Sequence, residues 1–213
     1  MIAVFHHCVL SGDVVPIDTE FACSILHEQM AALSQSGLLA EADEFYVGLN
    51  GGEEDAQIAR MFLPAKAKLI VHGPGMITEI PTLTSLRNWL PGHEGWKVLY
   101  HHAKGVSHPG HASYTIWRRR MEMAVVWGWR DCVAQLDNGL DACGCHWLTP
   151  EQFPTLVHDY PYFGGTFFFA TAKFLMTLPS LPGDAWHNRF AAENWIGSGP
   201  RRPRVKDYCP GWP

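Results

Sequence analysis

The sequence predicts an α/β fold, with a mostly parallel central sheet flanked by helices. In the first half of the chain, short apolar runs that favour strands alternate with segments of helical periodicity, an order typical of parallel strands joined by crossover helices. Glycine-containing turns follow several of these runs. The 213 residues are 47% hydrophobic, which is enough for one large domain. We expect a single domain over 1–213, because neither its first half (1–110) nor its second (111–196, followed by a tail over 197–213) would bury a large core alone.

The elements of the first half are predicted from apolar runs and from the residues that limit them. The predicted strands span 2–10, 44–49, 67–72 and 98–100, and each is short and β-prone. The predicted helices span 19–36, 53–62 and 82–90. In the first helix, Phe21, Ile25 and Leu33 recur at helical spacing after an N-cap at Asp18 or Thr19.

The second half is predicted to be less regular. Its predicted elements are a helix over 113–136, a strand over 141–147, an aromatic segment with a glycine pair over 162–170, and helices over 171–178 and 184–196. On the long helix, the periodicity places Trp117 and Met121 on the buried side and leaves Arg118 to Arg120 exposed.

The charge and the apolar pattern narrow the classes of partner. A net charge of −5 argues against a nucleic-acid partner. No apolar stretch approaches the roughly 18 residues of a spanning helix, and no basic and apolar leader opens the sequence. We therefore expect a cytoplasmic protein, with peripheral association with a membrane left open.

The six cysteines do not form the pattern of a disulfide scaffold. Cys143-Gly144-Cys145-His146 has two interpretations. We favour a buried strand, in which the thiols act as small hydrophobes, because Cys-x-Cys lacks the two-residue gap of common zinc knuckles. The alternative is a metal site.

The densest group of candidate functional residues follows the predicted strand 98–100. Ligands of open α/β sheets bind outside the carboxyl ends of the strands. The candidates here are His101, His102, Lys104 and Ser107, followed by His108 and His111. Lysine and imidazolium neutralise a diphosphate, and neutral imidazole binds metals. We favour a binding site here over a plain polar loop.

Other strand ends belong to the same edge of the predicted sheet. Asn50 and Gly51 follow the second strand, Gly73 follows the third, and Cys8 and Ser11 lie at the end of the first. Glycine allows backbone amides to approach a ligand, although neither glycine turn matches a dinucleotide or Walker motif. The alternative is a set of simple strand-to-helix turns.

Three further features of the second half are candidates. Gly164, Gly165 and Thr166 precede an aromatic run that could pack against a sugar ring, or they form a bulge in a core strand. Glu193 is the best-placed late carboxylate for a general base, the alternative being a solvated helix face. The basic tail either closes over phosphates or is a soluble terminus; its residues are Arg201, Arg202, Arg204 and Lys206.

Several segments resemble bacterial polysaccharide-synthesis glycosyltransferase-like proteins, including those similar to rhamnan synthesis protein F. The likeness begins with the strand over 98–100 and its following His102-Ala103-Lys104. The other segments that carry it are 29–38, 47–51, 117–136, 141–144, 163–170 and 193–196, so that it covers about 1–196. The resemblance implies a GT-A type fold and transfer of a sugar from a nucleotide-diphosphate donor to a saccharide or related acceptor.

The resemblance also implies a role for each candidate residue. The nucleotide would contact Cys8, Ser11, Asn50, Gly51 and Gly73, and the diphosphate would contact His101, His102, Lys104 and Ser107. Gly164, Gly165 and Thr166 would face the sugar. Glu193 would deprotonate the acceptor hydroxyl if the reaction inverts.

One difference from many GT-A enzymes leaves open whether the protein uses a metal and whether it is catalytically active. Those enzymes hold Mn²⁺ or Mg²⁺ with an Asp-x-Asp motif in the region where this chain has His102-Ala103-Lys104. Lysine neutralises phosphates directly but does not ligate a hard cation as a carboxylate does. Two alternatives follow: a non-catalytic nucleotide- or carbohydrate-binding module, and a metal-dependent hydrolase that uses His101, His102 and His146.

Overall fold

The computed structural model describes residues 1–12, 16–75, 78–155, 157, 159–181 and 189–211. Its strands are β1 (Ile2–Val9), β2 (Glu44–Asn50), β3 (Ala67–Gly73), β4 (Lys97–His102), β5 (Ala142–Gly144), β6 (Trp147–Leu148), β7 (Tyr162–Phe163), β8 (Phe168–Thr171) and β9 (Val205–Asp207). Its helices are α1 (Thr19–Gln35), α2 (Leu38–Glu41), α3 (Glu53–Arg60), α4 (Ile80–Trp89), α5 (Ala112–Glu122), α6 (Trp129–Asp137), α7 (Ala172–Leu175) and α8 (Arg189–Trp195). A π-helical turn, Met123–Trp127, joins α5 to α6.

The described strands form a seven-stranded sheet in the order β3-β2-β1-β4-β8-β5-β9, and β6 pairs with β7 separately. The pairs β1–β2, β1–β4, β2–β3 and β5–β9 are parallel. Strand β8 is antiparallel to both β4 and β5. The predicted α/β class, with a mostly parallel sheet flanked by helices, is therefore confirmed. Strands from both predicted halves of the chain lie in this one sheet.

Helices cover both faces of the sheet, which explains why its central strands are almost continuously apolar. One face packs against α1, α5 and α6 through residues such as Leu26, Met121 and Cys132. The other packs against α4, α7 and α8 through residues such as Leu83, Phe174 and Trp195. Because successive side chains of a strand point to opposite faces, the strands β1, β2, β4, β5 and β8 contribute to both clusters.

The first-half elements match the prediction to within a few residues, and the second half differs in several places. The predicted helix 113–136 is two α-helices joined by the π-helical turn. The predicted strand 141–147 is divided into β5 and β6, and the segment 162–170 is divided into β7 and β8. The second division follows from Gly165 and Thr166, whose φ angles of 90° and 58° turn the chain between the strands. Of the predicted helix 184–196, the part before residue 189 lies outside the described residues.

The basic tail contributes the edge strand β9, which pairs with β5. Arg201 binds Asp141 through both guanidinium Nη atoms, each 2.7 Å from a carboxylate oxygen. Arg202 pairs with Glu151. These contacts attach the tail to the side of the sheet, away from the strand ends that carry the main candidate residues. Across the described ranges, no helix combines the length and the apolar character needed to cross a membrane.

Candidate functional site

A cavity of about 730 Å³ opens at the carboxyl ends of β1 and β4. These two strands are neighbours, but the chain leaves β1 towards β2 and β3 and returns to β4 on the other side. Such a reversal of strand order creates the crevice in which open α/β sheets bind their ligands. The topology of the sheet therefore places this cavity where a ligand site is expected.

Several elements that reach this edge contribute to the cavity wall. Among its lining residues are His7 from β1, Thr78 and Glu79 before α4, His102 to His108 at and after β4, and Tyr114 and Trp117 from α5. The cavity wall also includes Thr155, Asp159, Tyr162, Gly164 and Gly165, together with Phe190, Glu193 and Asn194 from α8. Residues before β8 can reach this edge because β8 runs antiparallel, so its start lies beside the end of β4.

Glu79 is an acid of the cavity wall whose pKa is strongly raised. The hydroxyl of Tyr100 donates a hydrogen bond of 2.8 Å to its Oε2, and Nε2 of His102 lies 4.0 Å from the same oxygen. Burial raises the pKa of Glu79 to about 7, although Tyr100, Thr166 and Lys104 all favour the ionised carboxylate. Near neutral pH this carboxyl group therefore exchanges its proton readily.

The ring of His102 is fixed by the turn that contains the glycine pair. Its Nε2 lies 2.8 Å from the carbonyl oxygen of Gly165. A carbonyl oxygen only accepts hydrogen bonds, so Nε2 carries the hydrogen of this bond. Burial and the nearby Lys104 lower the pKa of His102 to about 3. The ring is thus neutral near pH 7, with Nδ1 as its basic atom.

Backbone strain accompanies this arrangement. Thr166 is not a glycine, yet it has a φ of 58°, and its side chain is 1% exposed beside Glu79. At Gly165, with a φ of 90°, an added Cβ would lie 2.7 Å from Sδ of Met121. Strained non-glycine residues persist where the surrounding structure holds them, often at ligand sites.

Lys104 supplies a cation to the cavity. Its Nζ lies 3.9 Å from the centre of the Trp117 ring, so that the ammonium group rests on an aromatic face. The backbone of its loop is held by two buried side chains: Nη1 of Arg118 donates to the carbonyl of Lys104 at 3.0 Å, and Nε2 of Gln29 donates to that of His102 at 3.0 Å. The position of the lysine is therefore supported from two helices.

A second polar group adjoins the cavity at β1. The hydroxyl of Thr82 lies 2.8 Å from Nδ1 of His7 and 3.1 Å from Nε2 of His72. The contact requires a glycine at position 48, because an added Cβ there would lie 1.9 Å from the Thr82 hydroxyl oxygen. Burial lowers the pKa of both His7 and His72, so this cluster is uncharged near neutral pH.

Seven of the residues predicted from the sequence line the cavity: His102, Lys104, Ser107, His108, Gly164, Gly165 and Glu193. Thr166 lies just behind its wall, beside Glu79. The structure thus brings together residues that are up to 91 positions apart in the chain. Their assigned contacts with donor, sugar and acceptor stay predictions.

The remaining predicted residues lie outside the described lining. His101 is fully buried on the opposite face of β4 from His102, where its ring packs 4.5 Å from that of His6. Cys8 is also fully buried, on that same face of the sheet. The polar groups of the other strand ends contact one another. Ser11 donates to Asp55, Asn50 donates to the carbonyl of Thr78, and Gly51 donates to the carbonyl of Gly73.

Sequence reasoning missed Glu79 and Tyr100. Glu79 is not among the predicted site residues because the predicted helix begins at Thr82, whereas α4 begins at Ile80 with Pro81 in its first turn. Proline is favoured at such a position, so Thr78-Glu79-Ile80-Pro81 was the available signal of a helix start at the edge of the sheet.

The described residues offer no preformed metal site: nowhere among them do three or more His, Cys, Asp or Glu side chains converge as ligands would. The three histidines of the hydrolase alternative are also separated. His101 and His102 face opposite sides of β4, and Nδ1 of His146 lies 2.8 Å from the carbonyl oxygen of Gly211. The Cys143 and Cys145 thiols are free and buried, as the strand interpretation of that segment requires.

Comparisons with known proteins find structural likeness at low sequence identity. No protein-family model matches the chain, and no curated protein matches it. A mycobacterial protein of known structure is 15% identical with a TM-score of 0.46, and the match covers 91% of this chain but only 63% of the mycobacterial one. HddC from Yersinia pseudotuberculosis is 7% identical, with a TM-score of 0.46 over 99% of this chain and 91% of its own. A 4-diphosphocytidyl-2C-methyl-D-erythritol synthase is 13% identical, with a TM-score of 0.46 over 97% and 87%.

Proposed function

We propose that this protein is a GT-A-like glycosyltransferase that moves a sugar from a nucleotide-diphosphate donor to a saccharide or related acceptor. The observation that carries the proposal is the placement of Lys104 in a cavity at the point where the strand order reverses. A cation there would stabilise the negative charge that develops on a departing diphosphate. The resemblance of the sequence to polysaccharide-synthesis transferases agrees with this reaction.

The donor side of the cavity would be formed by the loop after β4. Lys104 and Ser107 line it next to His102, whose ring is neutral and fixed by the Gly165 carbonyl. A lysine on a well-supported loop and a hydroxyl group match the needs of a diphosphate. The sugar would lie against Gly164 and Gly165, which both line the cavity.

The reaction also needs a group that takes the proton of the acceptor hydroxyl. Three acidic side chains line the described part of the cavity: Glu79, Asp159 and Glu193. The sequence nominates Glu193 for this role, and Glu193 lies on the cavity wall in α8. Lys104 lies in the region where carboxylates hold a metal in many GT-A enzymes, so it would neutralise the diphosphate directly.

A thermal-shift panel tests the proposal. The protein is melted with nucleoside diphosphates and nucleotide sugars, each with Mn²⁺ and with EDTA. A ligand at a hundred times its dissociation constant stabilises the fold by about 2.7 kcal/mol, which is a readily measured shift. We expect a thermal shift with one nucleotide class. With a nucleotide sugar of that class, we expect transfer of the sugar to an acceptor or slow hydrolysis of the donor.

Each other outcome has a defined meaning. Binding without any turnover would favour the non-catalytic binding module. No shift with any nucleotide, with or without metal, would contradict the proposed function. A shift that requires Mn²⁺ would contradict the direct neutralisation of the diphosphate by Lys104.

A further inference from the structure

We infer that Glu79 is the catalytic residue that takes the proton from the acceptor hydroxyl, an inference that rests on the glycosyl transfer proposed above. Its carboxyl group lines the cavity, and its side chain is 10% exposed. Tyr100, on the central strand β4, donates a hydrogen bond of 2.8 Å to Oε2. The carboxyl is thus held by a side chain of the central strand, and a proton-transfer group needs such support.

Among Glu79, His102, His7 and Tyr100, only Glu79 has a pKa close to neutral pH. A general base works best when its pKa is close to the working pH, and burial raises the pKa of Glu79 to about 7. Burial lowers the pKa of His102 to about 3 and that of His7 well below its ordinary value. Burial also raises the pKa of Tyr100 well above its ordinary value. Lys104 favours the ionised carboxylate and does not compete for its proton.

The other two acids of the wall are less well suited to this step. Asp159 is exposed. Glu193 is half-buried on α8, which has only seven residues. Glu79 is held by a hydrogen bond from the central strand and has a pKa near neutral pH, which suits it to the transfer of a proton. We assign Glu193 to binding of the acceptor and Glu79 to the proton transfer.

The step balances without any further reagent. The acceptor oxygen forms a bond to the anomeric carbon while the bond from that carbon to the diphosphate oxygen breaks. The bonding electron pair leaves with the nucleoside diphosphate, whose added charge Lys104 offsets. The acceptor proton passes to the Glu79 carboxylate and from there to solvent.

The pH dependence of kcat/KM for transfer tests the inference in three variants. In the wild type we expect kcat/KM to rise tenfold per pH unit along an acidic limb and to become constant above about pH 7. Glu79→Gln should lose that limb and lower kcat by about 10²- to 10⁴-fold. Tyr100→Phe removes a donor that favours the ionised carboxylate, so it should move the limb to higher pH. Glu193→Gln should keep the limb at its wild-type position.

The outcomes separate this inference from the function on which it rests. A Glu79→Gln enzyme that keeps the limb, or a Glu193→Gln enzyme that loses it, overturns the inference while transfer itself stands. A panel without nucleotide binding overturns the proposed function and the inference together. The thermal shift of Glu79→Gln with donor must match that of the wild type; should that variant fail to fold, an unmoved limb in Tyr100→Phe overturns the inference by itself.

Discussion

Nη1 of Arg118 donates a 3.0 Å hydrogen bond to the backbone carbonyl oxygen of Lys104, so a helix side chain holds the loop that carries the cavity's lysine. Arg118 is only 2% exposed, and its Nη2 also donates to Glu28 at 2.8 Å. Its Nε lies 3.6 Å from Glu122, which is 3% exposed. The position of Lys104 therefore depends on a buried ionic network between α1 and α5.

Arg118→Ala should destabilise the protein by roughly 3 kcal/mol, because it removes the buried cation that faces Glu122 and the donor to the Lys104 carbonyl. Urea unfolding followed by tryptophan fluorescence measures the loss. Arg119→Ala is the matched control: Arg119 binds the same Glu28 at 2.6 Å but is 63% exposed, so its loss should be below about 1 kcal/mol. Equal losses in the two variants would contradict the structural importance of Arg118.

Lys104→Ala should weaken binding of the nucleoside diphosphate that the panel identifies by roughly ten- to a hundredfold, since hydrogen bonds to charged groups contribute about 1.5–3 kcal/mol. Titration calorimetry at fixed ionic strength measures the affinity. Lys173→Ala, which removes an exposed cation from α7, controls for the change in net charge. Unchanged affinity in Lys104→Ala would remove this residue from the donor site.

The sequence predicted the sheet and one edge of the site because those features are local. Strands buried on both faces need continuous apolar runs, and β1 and β4 are such runs. Parallel strands bring their carboxyl ends to one edge, so His102 and Lys104 could be assigned to a common site before any contact was known. Which face each residue occupies also follows from strand alternation, which separates His101 from His102.

The features that the sequence could not predict depend on contacts between distant segments. Arg118 was predicted to be exposed beside Arg119 and Arg120. Its guanidinium is instead buried and donates a hydrogen bond to Glu28, which lies 90 residues away in the chain. The local signal at Glu79 is the helix start over Thr78-Glu79-Ile80-Pro81, and it does not indicate how buried the carboxyl is or what contacts it. Burial raises its pKa, and the neighbouring Tyr100 and Thr166, which favour the ionised carboxylate, lie 21 and 87 residues away in the chain.

Gly165→Ala should destabilise the protein by about 1–3 kcal/mol, because a φ of 90° strains any side chain and the new Cβ would lie 2.7 Å from Sδ of Met121. Gly164→Ala is the control, since its Cβ would lie 3.4 Å from its nearest neighbours and its φ is not in the left-handed region. Chemical denaturation of both variants gives the two costs. Similar small costs would mean that the turn adapts to a side chain.

Two pairs of buried groups change the free energy of unfolding in opposite directions as the pH falls. His6 and His101 face each other with rings 4.5 Å apart, and neither ring has a hydrogen-bond partner among the described residues. Burial lowers the pKa of His101 to about 3 and that of His6 well below its ordinary value of 6.5. Conversely, burial raises the pKa of Glu79 and of Glu122 to about 7, from an ordinary value of 4.5.

The signs of the two effects can be worked out from linkage. Below pH 6.5 the unfolded histidines bind protons that the folded ones do not, so each such histidine lowers the free energy of unfolding by about 1.4 kcal/mol per pH unit on acidification. The two glutamates act oppositely between pH 7 and 4.5, because there the folded state binds the protons. Below pH 4.5 both folded and unfolded glutamates are protonated and this compensation ends. The free energy of unfolding should therefore fall more steeply below pH 4.5 than above it.

Urea unfolding at half-unit steps from pH 7 to 3.5 measures this curve, and His101→Phe isolates the histidine contribution. Phenylalanine keeps a ring against Phe167 and His6 but takes up no proton, so the slope below pH 4.5 should fall by about 1.4 kcal/mol per pH unit. His27→Phe changes an exposed histidine and should leave the slope as it is in the wild type. If His101→Phe and the wild type lose stability in parallel on acidification, the pair cannot be buried in the neutral form, and the packing of β1 against β4 would need another explanation.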